Sequence, residues 1–193
     1  VSLNLEKLEA RGAEMMFAPG THDFVAFDMA WGGKHYPSIP LYLTPNSGHG
    51  QKKTHPRVDR GQANKSLFLL RHFFPEKVAP LLVPPKVTAD RIGDDRLRVE
   101  VTFAAGSGEE SGRIWWMFDR PMEGSPGYLR APFREEHWAD MKRSEAGDSW
   151  QVEISLEAGA KRVDFFSNHR KTISYQGRDY RNVLSSPYTR VEW

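Results

Sequence analysis

Cysteine is absent from all 193 residues, which excludes a disulfide framework, cysteine-ligated zinc and thiol catalysis. Long hydrophobic runs are absent too: nothing approaches the roughly 18 apolar residues that a membrane-spanning helix needs. Charge of one sign is also lacking. Lys+Arg number 27 against 25 Asp+Glu, and a net +2 makes no electrostatic case for nucleic acid. There is no internal repeat, no low-complexity tract, no initiator Met and no signal-peptide pattern; the opening Val1-Ser2-Leu3-Asn4-Leu5 reads as the middle of something longer. What is present is a folding composition, 39% hydrophobic and 12% aromatic, not a disordered one. The length suits one large domain or two small ones.

The pattern changes near residue 80. Leu3, Leu5 and Leu8 suggest the end of an amphipathic helix, closed by Gly12. Residues 13–18 and 39–44 are short, almost wholly apolar runs of the kind found in parallel strands buried on both faces. A helix is expected around 28–36 despite Gly32 and Gly33. A second is expected over 62–74, with Leu67, Leu70, Phe73 and Phe74 on one side. Helix, strand, loop, helix, strand, loop, helix is the order of a parallel α/β sheet. Two such strands cannot make a stable sheet alone, so strands from outside this sequence are expected on their edges. Residues 81–85, with Pro84 and Pro85, read as a linker. Beyond them Leu97, Val99, Val101 and Phe103 alternate with polar residues, the signature of a half-buried strand. Further strands are expected at 113–119, 138–142, 150–156, 162–168, 172–175 and 188–191. The core is expected to include Trp150, Val152, Ile154 and Phe165. The fold class expected is therefore α/β over 1–80, then, over 86–193, an all-β sandwich of immunoglobulin or fibronectin type, able to fold alone.

Two loops stand at the carboxyl ends of the expected parallel strands, where open α/β sheets place their ligands. One carries Asp23 in Gly20-Thr21-His22-Asp23. The other carries His49 in Asn46-Ser47-Gly48-His49-Gly50. A carboxylate from one strand end and an imidazole from the next are the acid and base of a nucleophilic triad. Asp28 is a competing carboxylate, better suited to capping the helix that follows. Lys52, Lys53, Arg57 and Arg60 form a basic loop after His49, for which solvent or an acidic sugar are the alternatives. His22, His35, His49 and His55 follow no metal-ligand spacing, so no metal is expected. Trp115 and Trp116 must face opposite sides of their strand: one in the core, the other either packed on the N-terminal part or free to stack on a sugar.

The run Met15-Met16-Phe17-Ala18-Pro19-Gly20-Thr21-His22-Asp23-Phe24, followed by Asn46-Ser47-Gly48-His49-Gly50, resembles the C-terminal half of an α/β-hydrolase. It is most similar to the acetylxylan-esterase-like and dienelactone-hydrolase-like enzymes and to the PhoPQ-activated pathogenicity-related family. The likeness is good over 13–74 and looser beyond, with an ending like Asn182-Val183-Leu184-Ser185-Ser186. His22 stands where the family pattern often has Asn. The resemblance implies Asp23 as triad acid, His49 as triad base, a carbohydrate ester as substrate, no cofactor, and a secreted or periplasmic location. No Gly-x-Ser-x-Gly is present. Neither Ser47 nor Ser107 follows a strand and opens a helix, as a nucleophile elbow must. In the family order the nucleophile precedes residue 1, so an N-terminal half, on a longer or a separate chain, is the expected partner. Neither nucleic acid nor membrane is expected as a partner. The competing expectation is a non-catalytic carbohydrate-binding or interaction module built on a degenerate hydrolase remnant.

Overall fold

The computed structural model describes residues 2–23, 29–48, 62–122, 125, 127–128, 130–147 and 149–193. Three helices, α1 (Ser2–Ala10), α2 (Met29–His35) and α3 (Gln62–Phe73), precede nine strands. These are β1 (Lys86–Ile92), β2 (Arg96–Thr102), β3 (Ser111–Phe118), β4 (Trp138–Asp140), β5 (Lys142–Arg143), β6 (Ser149–Ser155), β7 (Arg162–Tyr175), β8 (Arg178–Ser185) and β9 (Thr189–Glu192). All strand pairs among them are antiparallel. One sheet runs β1-β2-β6-β5. The other runs β4-β3-β7-β8, with β9 also beside β7.

The alternation in β2 sends Leu97, Val99 and Val101 inward, where they meet Trp150 and Ile154 of β6 and Ile114, Val163 and Phe165 of the second sheet. This shared core makes the two sheets a face-to-face pair. Val152 and Trp116 pack at its margin. Leu82, in the segment expected as a linker, also belongs to this core. Its amide donates to Asn182 Oδ1 at 2.6 Å.

The second sheet is covered on its other face as well. Trp115, Met117 and Phe166 point away from the first sheet into a core with Met29, Leu43, Tyr128, Phe133 and Tyr188. Trp115 thus packs against the N-terminal part, and at 1% exposure it presents no ring face to a sugar. Helix α2 reaches this layer because residue 33 is glycine. A Cβ there would lie 2.4 Å from the carbonyl oxygen of Tyr188.

Several expected elements differ. Residues 13–18 and 39–44 are parallel neighbours, but only isolated bridges join them, at Phe17↔Leu41 and Gly20↔Thr44. Residue Leu41 bridges antiparallel to Ser185, so the end of β8 supplies one of the edges expected from outside the sequence. Residues 13–18 are not buried on both faces: Met15 and Met16 are half-buried and Phe17 is 39% exposed. The strand expected at 138–142 is two strands in different sheets, because the chain crosses over at buried Met141. The strands expected at 162–168 and 172–175 are the single strand β7. On α3 the buried face carries Asn64 and Leu67, leaving Phe73 67% exposed.

Candidate functional site

The loops that follow residues 18 and 44 are in direct contact. Thr21 N–H donates to the Thr44 carbonyl at 3.0 Å and His22 N–H to the Ser47 carbonyl at 2.9 Å. Asn46 N–H donates to Thr21 Oγ1 at 2.8 Å. The approach is so close that a Cβ on Gly20 would sit 1.9 Å from the Ser47 carbonyl oxygen, so only glycine fits. The turn closes with Asp23 N–H donating to the Gly20 carbonyl at 3.0 Å, and Asp23 is buried. A buried carboxylate at a strand end is suited to holding an imidazole N–H in one orientation. Ser47 is fully buried in the facing loop. His49 lies outside the described residues, as do Asp28, Lys52, Lys53, His55, Arg57 and Arg60.

A third segment closes on these loops from the sandwich. β3 is followed by Asp119, which adopts a left-handed conformation (φ 46°) that Asp tolerates better than most residues. The Asp119 carboxylate accepts the Lys161 N–H at 3.0 Å, fixing the turn. The chain then directs Arg120 inward, where it is fully buried. Its Nη2 donates to the Thr21 carbonyl at 3.1 Å and to the Tyr128 carbonyl at 2.9 Å. Its Nη1 donates to the Tyr188 hydroxyl at 2.6 Å, and its Nε to the Tyr128 carbonyl at 3.1 Å. The guanidinium also lies 3.8 Å over the Tyr128 ring. Tyr188 in turn donates to Asp164 at 2.9 Å, and Arg190 grips Asp164 through two bonds of 2.7 and 2.8 Å. The buried arginine is therefore solvated by carbonyls, an aromatic face and a hydroxyl tied to a carboxylate. Burial and the nearby Asp164 carboxylate raise the Tyr188 hydroxyl well above the usual tyrosine range.

The same β3–β4 loop holds the other two positions. Asn46 sits at φ 55°, and its side chain clamps the backbone of Phe133, donating to its carbonyl at 2.7 Å and accepting its N–H at 2.8 Å. The ring of His22 bonds the Ala131 carbonyl through Nε2 at 3.2 Å. Burial lowers the His22 pKa, and the Arg120 charge lowers it further, against the opposing effect of that bond. Arg120, Asn46 and Thr21 escape pattern reading, because nothing periodic marks a buried arginine in a loop. The one local cue is an Asp and a Pro flanking Arg120 at the end of an aromatic strand.

The remaining chemistry-bearing residues have structural partners. His35 bonds the Trp31 carbonyl at 2.8 Å and stacks on the Trp31 ring, within α2. Ser107 donates to the Glu109 carboxylate, which also receives the Trp150 indole N–H at 3.3 Å and pairs with Arg143 at 3.3 Å. Burial works to raise the Glu109 carboxyl, but these donors outweigh it and the net shift is downward. Ser167 Oγ and His169 Nε2 lie 2.8 Å apart, a serine–histidine pair that sequence reading did not flag. Both residues are fully buried, so the pair cannot meet an ester. Among the described residues no group of three or more His, Cys, Asp and Glu side chains is placed to hold a metal ion. An open groove of about 380 Å³ lies at the seam where Tyr42 meets Arg113, Asn168 and Arg170. No family model matches the sequence, and no curated protein matches it.

Proposed function

We propose that this chain supplies the acid and base of a serine carboxylic-ester hydrolase acting on carbohydrate esters of the acetyl type. The observation that carries this is the contact of the two strand-end loops through Thr21, Thr44 and Ser47, with Asp23 buried beside it. Residues 1–80 are then the trailing part of an α/β-hydrolase sheet. Among the described residues no further strand pairs with the outer edge of 13–18. That edge and half-exposed Phe17 are where the N-terminal half would dock. Relabelled A to G, the first eight strands of 86–193 run A-B-E-D against C′-C-F-G, with β9 also beside F, which supports an immunoglobulin-like sandwich.

In this reading a serine of the N-terminal half attacks the ester carbonyl while His49 accepts its proton. Asp23 fixes the imidazole tautomer and stabilises the imidazolium. His49 returns the proton to the leaving alkoxide, then takes one from the water that hydrolyses the acyl-enzyme. The pair can be tested on this chain alone. Imidazole titration by ¹⁵N NMR should show His49 protonating at higher pH in the parent than in Asp23→Asn, because the carboxylate favours the cation. An identical His49 titration in both removes Asp23 from the mechanism. In the complete enzyme, His49→Ala should abolish hydrolysis of acetyl esters, and Asp23→Asn should lower kcat by about 10⁴-fold.

A further inference from the structure

We propose that Arg120 is a positioning residue of the candidate site, by which the sandwich holds the Asp23 loop against the loop leading to His49. The proposal rests on Asp23 being the triad acid. Arg120 donates four hydrogen bonds, and their directions differ. Three go to acceptors within the sandwich, two at the Tyr128 carbonyl and one at the Tyr188 hydroxyl. The fourth goes to the Thr21 carbonyl, two residues before Asp23. Thr21 is also where the two strand-end loops join, since its N–H meets the Thr44 carbonyl and its hydroxyl accepts the Asn46 N–H. Arg120 thus grips one side of a residue whose other polar groups grip the facing loop. The planar fork lets one side chain reach the sandwich and the loop together, which a lysine ammonium on a flexible stem does less well. The guanidinium is itself held by the Tyr188–Asp164–Arg190 chain and the Tyr128 ring, so its position is set by the sandwich.

A residue that merely fills the core would weaken the whole molecule when changed. A positioning residue loosens one place first. Amide exchange should therefore be measured in the full chain for Arg120→Met and Arg120→Lys. Exchange at Thr21 and His22 should rise about tenfold or more, with Val99 and Ile154 of the inter-sheet core unchanged. The His49 titration should move toward that of Asp23→Asn, and this movement should vanish when Asp23→Asn is already present. Loss of the Arg120 charge acts in the opposite sense, raising the titration of His22, so the two effects separate by sign. If Arg120→Met does not fold, Tyr188→Phe decides, because it keeps the ring and removes only the hydroxyl that anchors Arg120. Unchanged exchange at Thr21 and His22 in a folded variant, or exchange that rises equally at Val99, overturns the proposal. A His49 titration indifferent to Asp23→Asn, with Thr21 loosened by Arg120→Met, overturns the triad reading instead and leaves Arg120 as an anchor of the loop.

Discussion

His169 carries a polar ring into the space between the sheets, edge-on to Phe103 at 4.8 Å and near Trp150 at 5.9 Å. Desolvation lowers its pKa to about 3 from an ordinary 6.5, against the opposing pull of Glu109. The folded state therefore holds it neutral, while the unfolded chain takes up a proton below pH 6.5. Its contribution is fully present above pH 6.5 and is lost as pH falls toward 3. Between pH 7 and pH 5 the loss should be about 2 kcal/mol, by linkage to a site that stays neutral only when folded. Urea melts of the chain and of His169→Phe at both pH values check this. The difference between the two proteins should shift by that amount, and equal pH dependence would show that His169 is not the group responsible. The residue was invisible to sequence reading for a physical reason. A lone His in a run as polar as Asn168-His169-Arg170-Lys171 carries no mark of being buried, and Ser167, which satisfies its Nε2, looks like any surface serine.

Strands were legible where one face is apolar and the other charged, as in β2, and less so where polar side chains stand in for backbone. β7 reads as two strands because its middle is polar, yet Asn168, His169 and Arg170 are paired on both edges, with β3 on one side and β8 on the other. β8 carries no legible alternation because its first half is exposed, and β1 none because its sides differ little in burial. The crossover at Met141 could not be read because alternation tells a side chain's face and says nothing about its strand's neighbour. The same limit applies to α3, where the decisive residue is polar. Asn64 is fully buried, and its amide imitates a strand neighbour of β8, donating to the Val183 carbonyl at 2.7 Å and accepting the Val183 N–H at 2.8 Å. Asn182 donates to it as well, at 3.2 Å. Asn64→Ala should cost about 2–3 kcal/mol, since it strands buried donors and acceptors on β8. Amide exchange should speed up over 64–73 well before it does in β2. Unaltered exchange on α3 would mean that Leu67, not the amide clamp, holds the helix.

At the scale of the whole molecule, the change of pattern near residue 80 marks a change of architecture but not a seam that can be cut freely. The second sheet has two covered faces, and its outer cover comes from both sides of that boundary. Met29 and Leu43 meet Trp115, Phe166 and Tyr188, while Ser185 donates its hydroxyl to Asn168 at 2.6 Å and receives the Leu43 N–H at 2.8 Å. Composition announces two parts because helices and alternating strands have different periods. It cannot announce the interlock, which depends on Asn and Arg side chains at single positions. The isolated sandwich, residues 86–193, is therefore expected to keep the core around Leu97, Val99 and Phe165 but to expose the outer face at Trp115, Phe166 and Tyr188, and Arg120 to lose its bond to Thr21. An exposed apolar patch of that kind promotes self-association. Excised 86–193 should still melt cooperatively, at a lower Tm than the full chain, and should elute larger than a monomer in size-exclusion chromatography. Tyr188 and Trp115 should become accessible to quenchers of tryptophan and tyrosine fluorescence. A monomeric 86–193 with the Tm of the full chain would show that the outer layer contributes nothing to the sandwich, and the coupling through Arg120 would lose its physical basis.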